Sequence, residues 1–164
     1  MILSEIQRTY HDNHAVRTEE RYENGKKNGI SKWFYDNGSL EAEILYSNDL
    51  RHGRYVSYYE NGNIWQESFY QDDLICGLSK WYYEDGKLAA EMLYEDGIQE
   101  GVTRWFYKNG EVKLIENYHN NLLHGKVNGF DEKGILIMED IYENGQKKVS
   151  RQFHNGKMIA EMFH

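Results

Sequence analysis

The sequence has no proline, one cysteine and no long apolar run among its 164 residues. Without proline, the chain lacks the residue that usually interrupts a ladder of strand hydrogen bonds. The single cysteine, Cys76, excludes an intramolecular disulfide and fits a reducing compartment. No window approaches the roughly 18 apolar residues of a membrane-spanning helix, and the first residues lack the basic and apolar regions of a signal peptide. These absences predict a cytoplasmic protein.

Basic residues are also in short supply. Lys and Arg number 19 against 27 Asp and Glu, which gives a formal net charge of −8. This charge disfavours binding to nucleic acid and association with the anionic face of a membrane, and it suits a basic protein partner. The alternative interpretation is that the acidity only keeps a sheet protein soluble.

No combination of residues typical of catalysis or metal binding stands out. The glycines occur singly at turns, so they form no phosphate-binding loop. His119 and His124 flank one turn, but no third ligand follows at a suitable spacing. An acidic residue recurs at one repeat position, at Glu43, Glu67, Glu91 and Glu139. This recurrence predicts a surface ladder beside Lys and Arg, not an acid/base pair, and we expect a non-enzyme without cofactor or metal.

Turn signals, in contrast, are abundant. Asn/Asp-Gly-like pairs occur thirteen times from Asn13-His14 to Asn155-Gly156, at intervals that alternate between eleven and thirteen residues until the last. Such pairs favour two-residue type I′ turns, which need positive φ at both central positions. Thirteen turns predict fourteen strands, nominally nine and eleven residues long, with a 24-residue period.

Several positions obey this period. Glycine recurs at 29, 53, 77, 101 and 125, and tyrosine recurs at 22, 46, 70, 94, 118 and 142. The tyrosine column predicts core positions of stacked units, and the glycine column marks where a bulge can absorb surplus strand length. With two-residue turns, Trp33 should face Ala42, Phe34 should face Glu41 and Tyr35 should face Leu40, while Lys32 and Glu43 form a cross-strand pair on the other side.

We therefore predict an all-β fold: an elongated, twisted, single-layer antiparallel meander of stacked β-hairpins with about 14 strands. One repeat domain should span residues 1–164, with a degenerate repeat at 1–28, five 24-residue repeats at 29–148 and a truncated hairpin at 149–164. No 3.6-residue period supplies a helix to cover a face, so a broad aromatic surface should stay partly open to water.

That aromatic surface is the predicted partner-binding site. Trp33, Trp81 and Trp105 share one repeat position, where Ser57 and Gly129 show that the stack does not require a large ring. The other residues predicted to bind on this side are Tyr35, Tyr59, Tyr83, Tyr107, Glu116, Asp131 and Asp140. The alternative interpretation is that the rings only shield neighbouring strands.

The pattern G-x3-W-[FY]-Y-x-[ND]-G-x-L-x2-E-x2-Y-x-[ND], best preserved at 29–49 and 77–97, resembles the MORN-repeat variant of bacterial YwqK-type proteins. The resemblance implies a single-layer sheet of hairpins without catalytic apparatus. Because bacterial relatives are described as antitoxins or immunity proteins, we expect a module that neutralises a basic toxin by occlusion. The alternative is a membrane-proximal scaffold that binds acidic phospholipid through the segment NGQKKVSR at 144–151.

Overall fold

A computed structural model describes residues 3–164, which form strands and turns without any helix. The strands are β1 (Ser4–Tyr10), β2 (Val16–Glu23), β3 (Lys26–Lys27), β4 (Gly29–Phe34), β5 (Leu40–Ser47), β6 (Leu50–Tyr58), β7 (Ile64–Gln71), β8 (Leu74–Tyr82), β9 (Leu88–Glu95), β10 (Ile98–Gln99), β11 (Gly101–Phe106), β12 (Val112–His119), β13 (Leu122–Leu123), β14 (Gly125–Phe130), β15 (Leu136–Glu143), β16 (Gln146–His154) and β17 (Lys157–Phe163). All pairings are antiparallel between strands joined by hairpins, which confirms the predicted all-β meander.

The chain divides into two compact units, Met1–Gly86 and Lys87–His164. The first unit contains β1 to β8 and the second contains β9 to β17. The described residues form seventeen strands instead of fourteen because three of the predicted strands are interrupted once, at Asn28, Glu100 and His124. Each interruption immediately precedes a glycine of the repeating column, so the extra breaks are bulges within the expected strands.

Turns occur at all thirteen predicted places but are of two kinds. Seven are the expected two-residue turns, in which both central residues have positive φ, as at Asn48 (50°) and Asp49 (74°). The other six are wider. In the turn after β4, Gly38 N–H donates to Tyr35 O and Tyr35 N–H donates to Ser39 O, both at 2.9 Å. This is a type I turn closed by a glycine in the left-handed region, with φ of 84° at Gly38.

The wider turn changes the predicted register. Trp33 pairs with Ala42 as expected, but Phe34 pairs with Leu40 and not with Glu41. Tyr35 pairs with Ser39 through its N–H, so it does not face Leu40. The predictions for Phe34 and Tyr35 were wrong because a three-residue loop adds a bulge beside the turn.

The glycine column forms bulges, as predicted. Between β5 and β6, Ile44 pairs with Tyr55 and Tyr46 pairs with Arg51, so Leu45 is opposed by more than one residue. Gly53 lies in this bulge with φ of 109°. A methyl group at Gly53 would lie 3.2 Å from Leu45 Cδ2, so both the backbone and the space favour glycine.

Hydrogen bonds from several of the tight turns reach the preceding repeat. Asp49 N–H donates to Lys27 O at 2.9 Å, and Lys27 N–H donates to the Asp49 carboxylate at 2.7 Å. The turn at Asp73 makes the same two bonds with Arg51, each at 3.0 Å. In the second unit, Asn121 bonds to Gln99 in this way.

The two sides of the sheet are buried to different degrees. The Trp face carries Trp33, Ala42 and Ile44 and their repeat equivalents, and the Glu face carries Glu43 and Leu45 and theirs. The side chains buried on the Trp face are Ser31, Ala42, Ile44, Ser57, Ser68 and Ser79 in the first unit and Ala90, Thr103, Val127 and Asp140 in the second. Most are small, because in a single layer only larger neighbours on the same face can cover them.

The tyrosine column contributes to that cover. Tyr70 is half-buried and packs edge-on against Tyr55, with 6.2 Å between ring centroids. The Arg51 guanidinium carbon lies 4.3 Å from the Tyr70 ring centroid on the same face. These rings shield the centre of the Trp face from one edge of the sheet.

The glycine bulge yields a stability prediction. Gly53→Ala should lower the free energy of unfolding by about 2 kcal/mol or more, since it combines an unfavourable φ with the close contact to Leu45. Gly77→Ala is the control, because Gly77 has a less extreme φ of 70° and open space where its Cβ would lie. Urea denaturation should show the smaller loss for Gly77→Ala; equal losses would mean that the contact with Leu45 is unimportant.

Candidate protein-binding surface

The tryptophan side chains of the predicted site lie on the Trp face. Trp33 and Trp81, in the first unit, are half-buried. Trp105, in the second unit, is 38% exposed, and its indole N–H donates to a Glu116 carboxylate oxygen at 2.8 Å. The structure thus brings Trp105 and Glu116, two of the predicted site residues, into direct contact.

The tyrosines two residues further on hold neighbouring repeats together. The hydroxyl of Tyr35 donates to Tyr58 O at 2.7 Å, and that of Tyr59 donates to Tyr82 O at 2.8 Å. Burial raises the pKa of both Tyr35 and Tyr59. In the second unit Tyr107 donates to Phe130 O in the same way at 2.8 Å, and Tyr83 is half-buried. The hydroxyls of Tyr35, Tyr59 and Tyr107 are thus engaged within the chain.

His11 fills the tyrosine position of the first, degenerate repeat. Its Nε2 lies 2.8 Å from Phe34 O, which is the contact that a tyrosine hydroxyl makes in later repeats. This role was not predicted from the sequence, although the 24-residue spacing from His11 to Tyr35 indicates it.

The acidic residues of the predicted site are engaged within the chain. Glu116 accepts the Trp105 bond described above, and it contributes with burial to raising the pKa of Tyr118. Asp131 accepts the N–H groups of Lys133 and Ile135 at 2.9 Å and so closes its own turn. Asp140 is 3% exposed, and one of its carboxylate oxygens lies 2.5 Å from Lys147 Nζ.

The Glu face carries the exposed apolar surface of the first unit. From residue 28 to residue 86, seven large apolar side chains are exposed and all belong to this face: Ile30, Leu45, Leu50, Trp65, Phe69, Leu74 and Leu78. The residues predicted from the sequence to bind a partner lie on the other side of the sheet and include none of these seven. One sequence feature could have indicated this exposed surface. Ile30 and Leu78 are apolar at a repeat position where Arg54 and Lys126 are basic.

The predicted ladder of acidic and basic residues is present on the Glu face. The ion pairs are Arg8–Glu19, Arg54–Glu67, Arg104–Glu91 and Lys126–Glu139. Hydrogen bonds from Arg54 and from the Tyr82 hydroxyl lower the pKa of Glu67. Burial together with Glu67 raises the pKa of Tyr82 to about 12.

Glu43 differs from the rest of this ladder. It lies directly opposite Lys32, as predicted. Its carboxylate, however, accepts a hydrogen bond from the Tyr58 hydroxyl at 3.4 Å, and burial with Glu43 raises the pKa of that hydroxyl. Within residues 3–164, no Lys or Arg nitrogen lies within ion-pair distance of Glu43.

The histidine pair noted in the sequence lies together in the second unit. The ring centroids of His119 and His124 are 5.9 Å apart, and His119 Nδ1 lies 2.8 Å from a Glu100 oxygen. The described part of the chain contains no group of three His, Cys, Asp or Glu side chains placed to hold a metal ion. It also contains no helix that could cross a membrane.

Comparison with known proteins supports the repeat architecture. Four consecutive segments, 27–48, 51–72, 75–96 and 99–120, match the family described as MORN repeat variant, and together they cover more than half of the chain. No curated protein matches this sequence. A crystal structure of the GtfA/B complex bound to UDP and GlcNAc is similar over 66% of this chain and 21% of that chain, with 14% identity and a TM-score of 0.29. The matched part is about a fifth of the length of that chain, and no functional conclusion is drawn from so low a similarity.

The tyrosine bonds give a second stability prediction. Tyr59→Phe should cost roughly 1 kcal/mol of unfolding free energy, because it leaves the part-buried Tyr82 carbonyl without its donor. Tyr46→Phe is the control, since the Tyr46 hydroxyl makes no hydrogen bond within the described residues, and it should be neutral. Equal thermal denaturation midpoints for the two variants would contradict a stabilising role of the bond.

The lowered pKa of Glu67 predicts a pH dependence of stability. A carboxylate whose pKa is lower in the folded than in the unfolded state stabilises the fold above its unfolded pKa, and this stabilisation is lost as the pH falls through the folded pKa. Glu67→Gln should therefore destabilise the protein at pH 7 and make much less difference at pH 3. Urea denaturation at both pH values checks this; a deficit that is the same at both would exclude a stabilising ionised Glu67.

Proposed function

Because this chain belongs to the family of MORN repeat variants, we propose that its non-catalytic repeat module binds another protein, a basic toxin, and neutralises it by occlusion. The observation that carries the proposal is the row of exposed apolar side chains on the Glu face. Soluble proteins seldom leave contiguous apolar surface open unless a partner covers it. Four of these residues, Ile30, Leu45, Phe69 and Leu78, are here called the apolar strip. Arg54 pairs with Phe69 in the register and so lies beside the strip.

The charge of the first unit supports a basic partner. Residues 1–86 contain 15 Asp and Glu against 9 Lys and Arg, a formal net charge of −6, which leaves −2 for residues 87–164. Toxins that act on nucleic acid are basic where they contact it. An acidic unit would speed association with such a surface through electrostatic steering, and the apolar strip would then slow dissociation.

The phospholipid alternative has weaker support. The cations of the segment 144–151 already have acidic neighbours in the chain: Lys147 lies 2.5 Å from Asp140, Lys148 lies 4.0 Å from Glu143, and Arg151 lies 2.6 Å from Glu139. Phospholipid head groups would have to compete with these carboxylates. The binding of a protein partner is therefore better supported than the binding of phospholipid.

The strip predicts which substitutions weaken binding. Phe69→Ala and Leu78→Ala should each reduce affinity for a basic protein co-purified with the chain by more than tenfold, as measured by calorimetry. Their unfolding free energies should stay within about 1 kcal/mol of wild type, because both side chains are close to half exposed. Association should also slow as salt is raised from 50 to 500 mM.

Trp81→Ala is the matched control, since Trp81 lies in the same unit on the Trp face. If Trp81→Ala weakens binding and the strip variants do not, the partner binds the aromatic residues predicted from the sequence. Failure to bind any basic protein, together with sedimentation on vesicles of anionic phospholipid, would replace the proposed function with the scaffold alternative.

A further inference from the structure

A pocket opens on the Glu face between β4, β5 and β6. It has a volume of about 260 Å³, and the side chains that line it on this face are Ile30, Glu43, Leu45, Arg54 and Val56. Ile30 and Leu45 pair across β4 and β5 and are 45% and 39% exposed, so they form the walls. Val56 pairs with Glu43 and is 1% exposed, so it forms the floor.

The equivalent positions of other repeats show what this pocket is missing. Within a hairpin, the diagonal neighbour of the Glu-face carboxylate is a cation in two repeats, as in Arg54–Glu67 and Lys126–Glu139. Ile30 occupies that diagonal position beside Glu43.

The second position from which a cation can reach the Glu-face carboxylate is directly opposite it, on the following strand. Arg104 takes this position beside Glu91, with 2.9 Å between the charged atoms. Val56 occupies it beside Glu43. Glu43 therefore has apolar residues at these two positions. At a third position, directly opposite on the preceding strand, Arg8 pairs with Glu19, whereas Lys32 lies opposite Glu43 without forming an ion pair within residues 3–164.

We propose that this pocket binds a lysine or arginine side chain of the protein partner, with Glu43 as the counter-ion. The aliphatic stem of such a side chain would pack between Ile30 and Leu45 over Val56, and its cation would take the place that Arg104 has beside Glu91. Basic side chains bury their stems on apolar surface while the charged end meets an acceptor. This inference rests on the proposed function, because it names the partner chemistry that the Glu face recognises.

The other charged groups at the pocket are consistent with this occupant. Arg54, which also lines the pocket, forms an ion pair with Glu67; this bond, with a smaller contribution from Glu43, raises the pKa of Arg54. Lys32 lies opposite Glu43 in the register, but its ammonium is not within ion-pair distance of it. The Tyr58 hydroxyl, at 3.4 Å, is the single hydrogen-bond donor to the Glu43 carboxylate within residues 3–164. A partner cation would supply a stronger, charge-assisted bond.

The test is an NMR titration of the full chain with N-acetyl-arginine methylamide. Shifts are expected for the amides of residues 43–45 and 54–56, with millimolar affinity. Glu43→Gln should weaken this binding at least tenfold, whereas Glu91→Gln, which changes a carboxylate that already has a cation, should leave it unchanged. N-acetyl-norleucine methylamide, which lacks the charge, should bind at least tenfold more weakly at the pocket.

Val56→Arg provides an independent check, because it places a cation of the chain itself where Arg104 lies beside Glu91. This variant should lose binding of the arginine probe while keeping a dispersed wild-type-like amide spectrum. Should it misfold, Glu43→Gln still decides the matter. Unchanged probe binding in Glu43→Gln, or equal binding of the norleucine compound, would overturn the proposed cation pocket.

The outcomes separate this inference from the proposed function. If Phe69→Ala weakens partner binding but Glu43→Gln affects neither the partner nor the probe, the Glu face binds protein and the cation pocket is wrong. If the probe binds through Glu43 but no basic protein does, the pocket stands and the proposed function fails.

Discussion

The hydrogen bonds between tight turns and the preceding repeat are the interaction on which the rest of the structure depends. Asp49 and Lys27 exchange a backbone and a side-chain bond, and Asp73 and Arg51 do the same one repeat later. At the opposite edge, Tyr35 and Tyr59 hydroxyls bond to carbonyls of the following repeat. With no helix or second sheet to pack against, these bonds at both edges fix how neighbouring hairpins stack.

This arrangement decides which side chains are free for binding. Tyrosine hydroxyls and turn carboxylates are used between repeats, and small residues such as Ser31 and Ser68 are buried under larger neighbours on the Trp face. The Glu face has no comparable cover. Large apolar side chains such as Leu45 and Phe69 stay exposed on it. The carboxylates of Glu67, Glu91 and Glu139 form local ion pairs, whereas Glu43 forms none within the described residues. The proposed recognition therefore uses the face that contributes less to the core.

The turns and bulges could be predicted because their residues carry the signal: Asn and Asp adopt positive φ, and Gly53 suits a bulge. The two turn types could not be separated from the dipeptide, since Asn24-Gly25 and Asn37-Gly38 are identical and differ only in their intervals. Alternation placed Leu45 and Glu43 on one face, but it could not show that this face is the more exposed. The pocket at Glu43 depends on diagonal neighbours in the bulged register, which a linear pattern does not display.

Radical footprinting of side chains tests most directly whether the Glu face is the binding surface. The chain would be oxidised alone and in complex with the basic protein that it captures, and the modification of each side chain compared. Binding on the Glu face predicts that Leu45, Phe69 and Leu78 become protected at least fivefold while Trp33 and Trp81 are modified as before. Protection of Trp33 and Trp81 with unchanged Phe69 would contradict the account and place the partner on the Trp face.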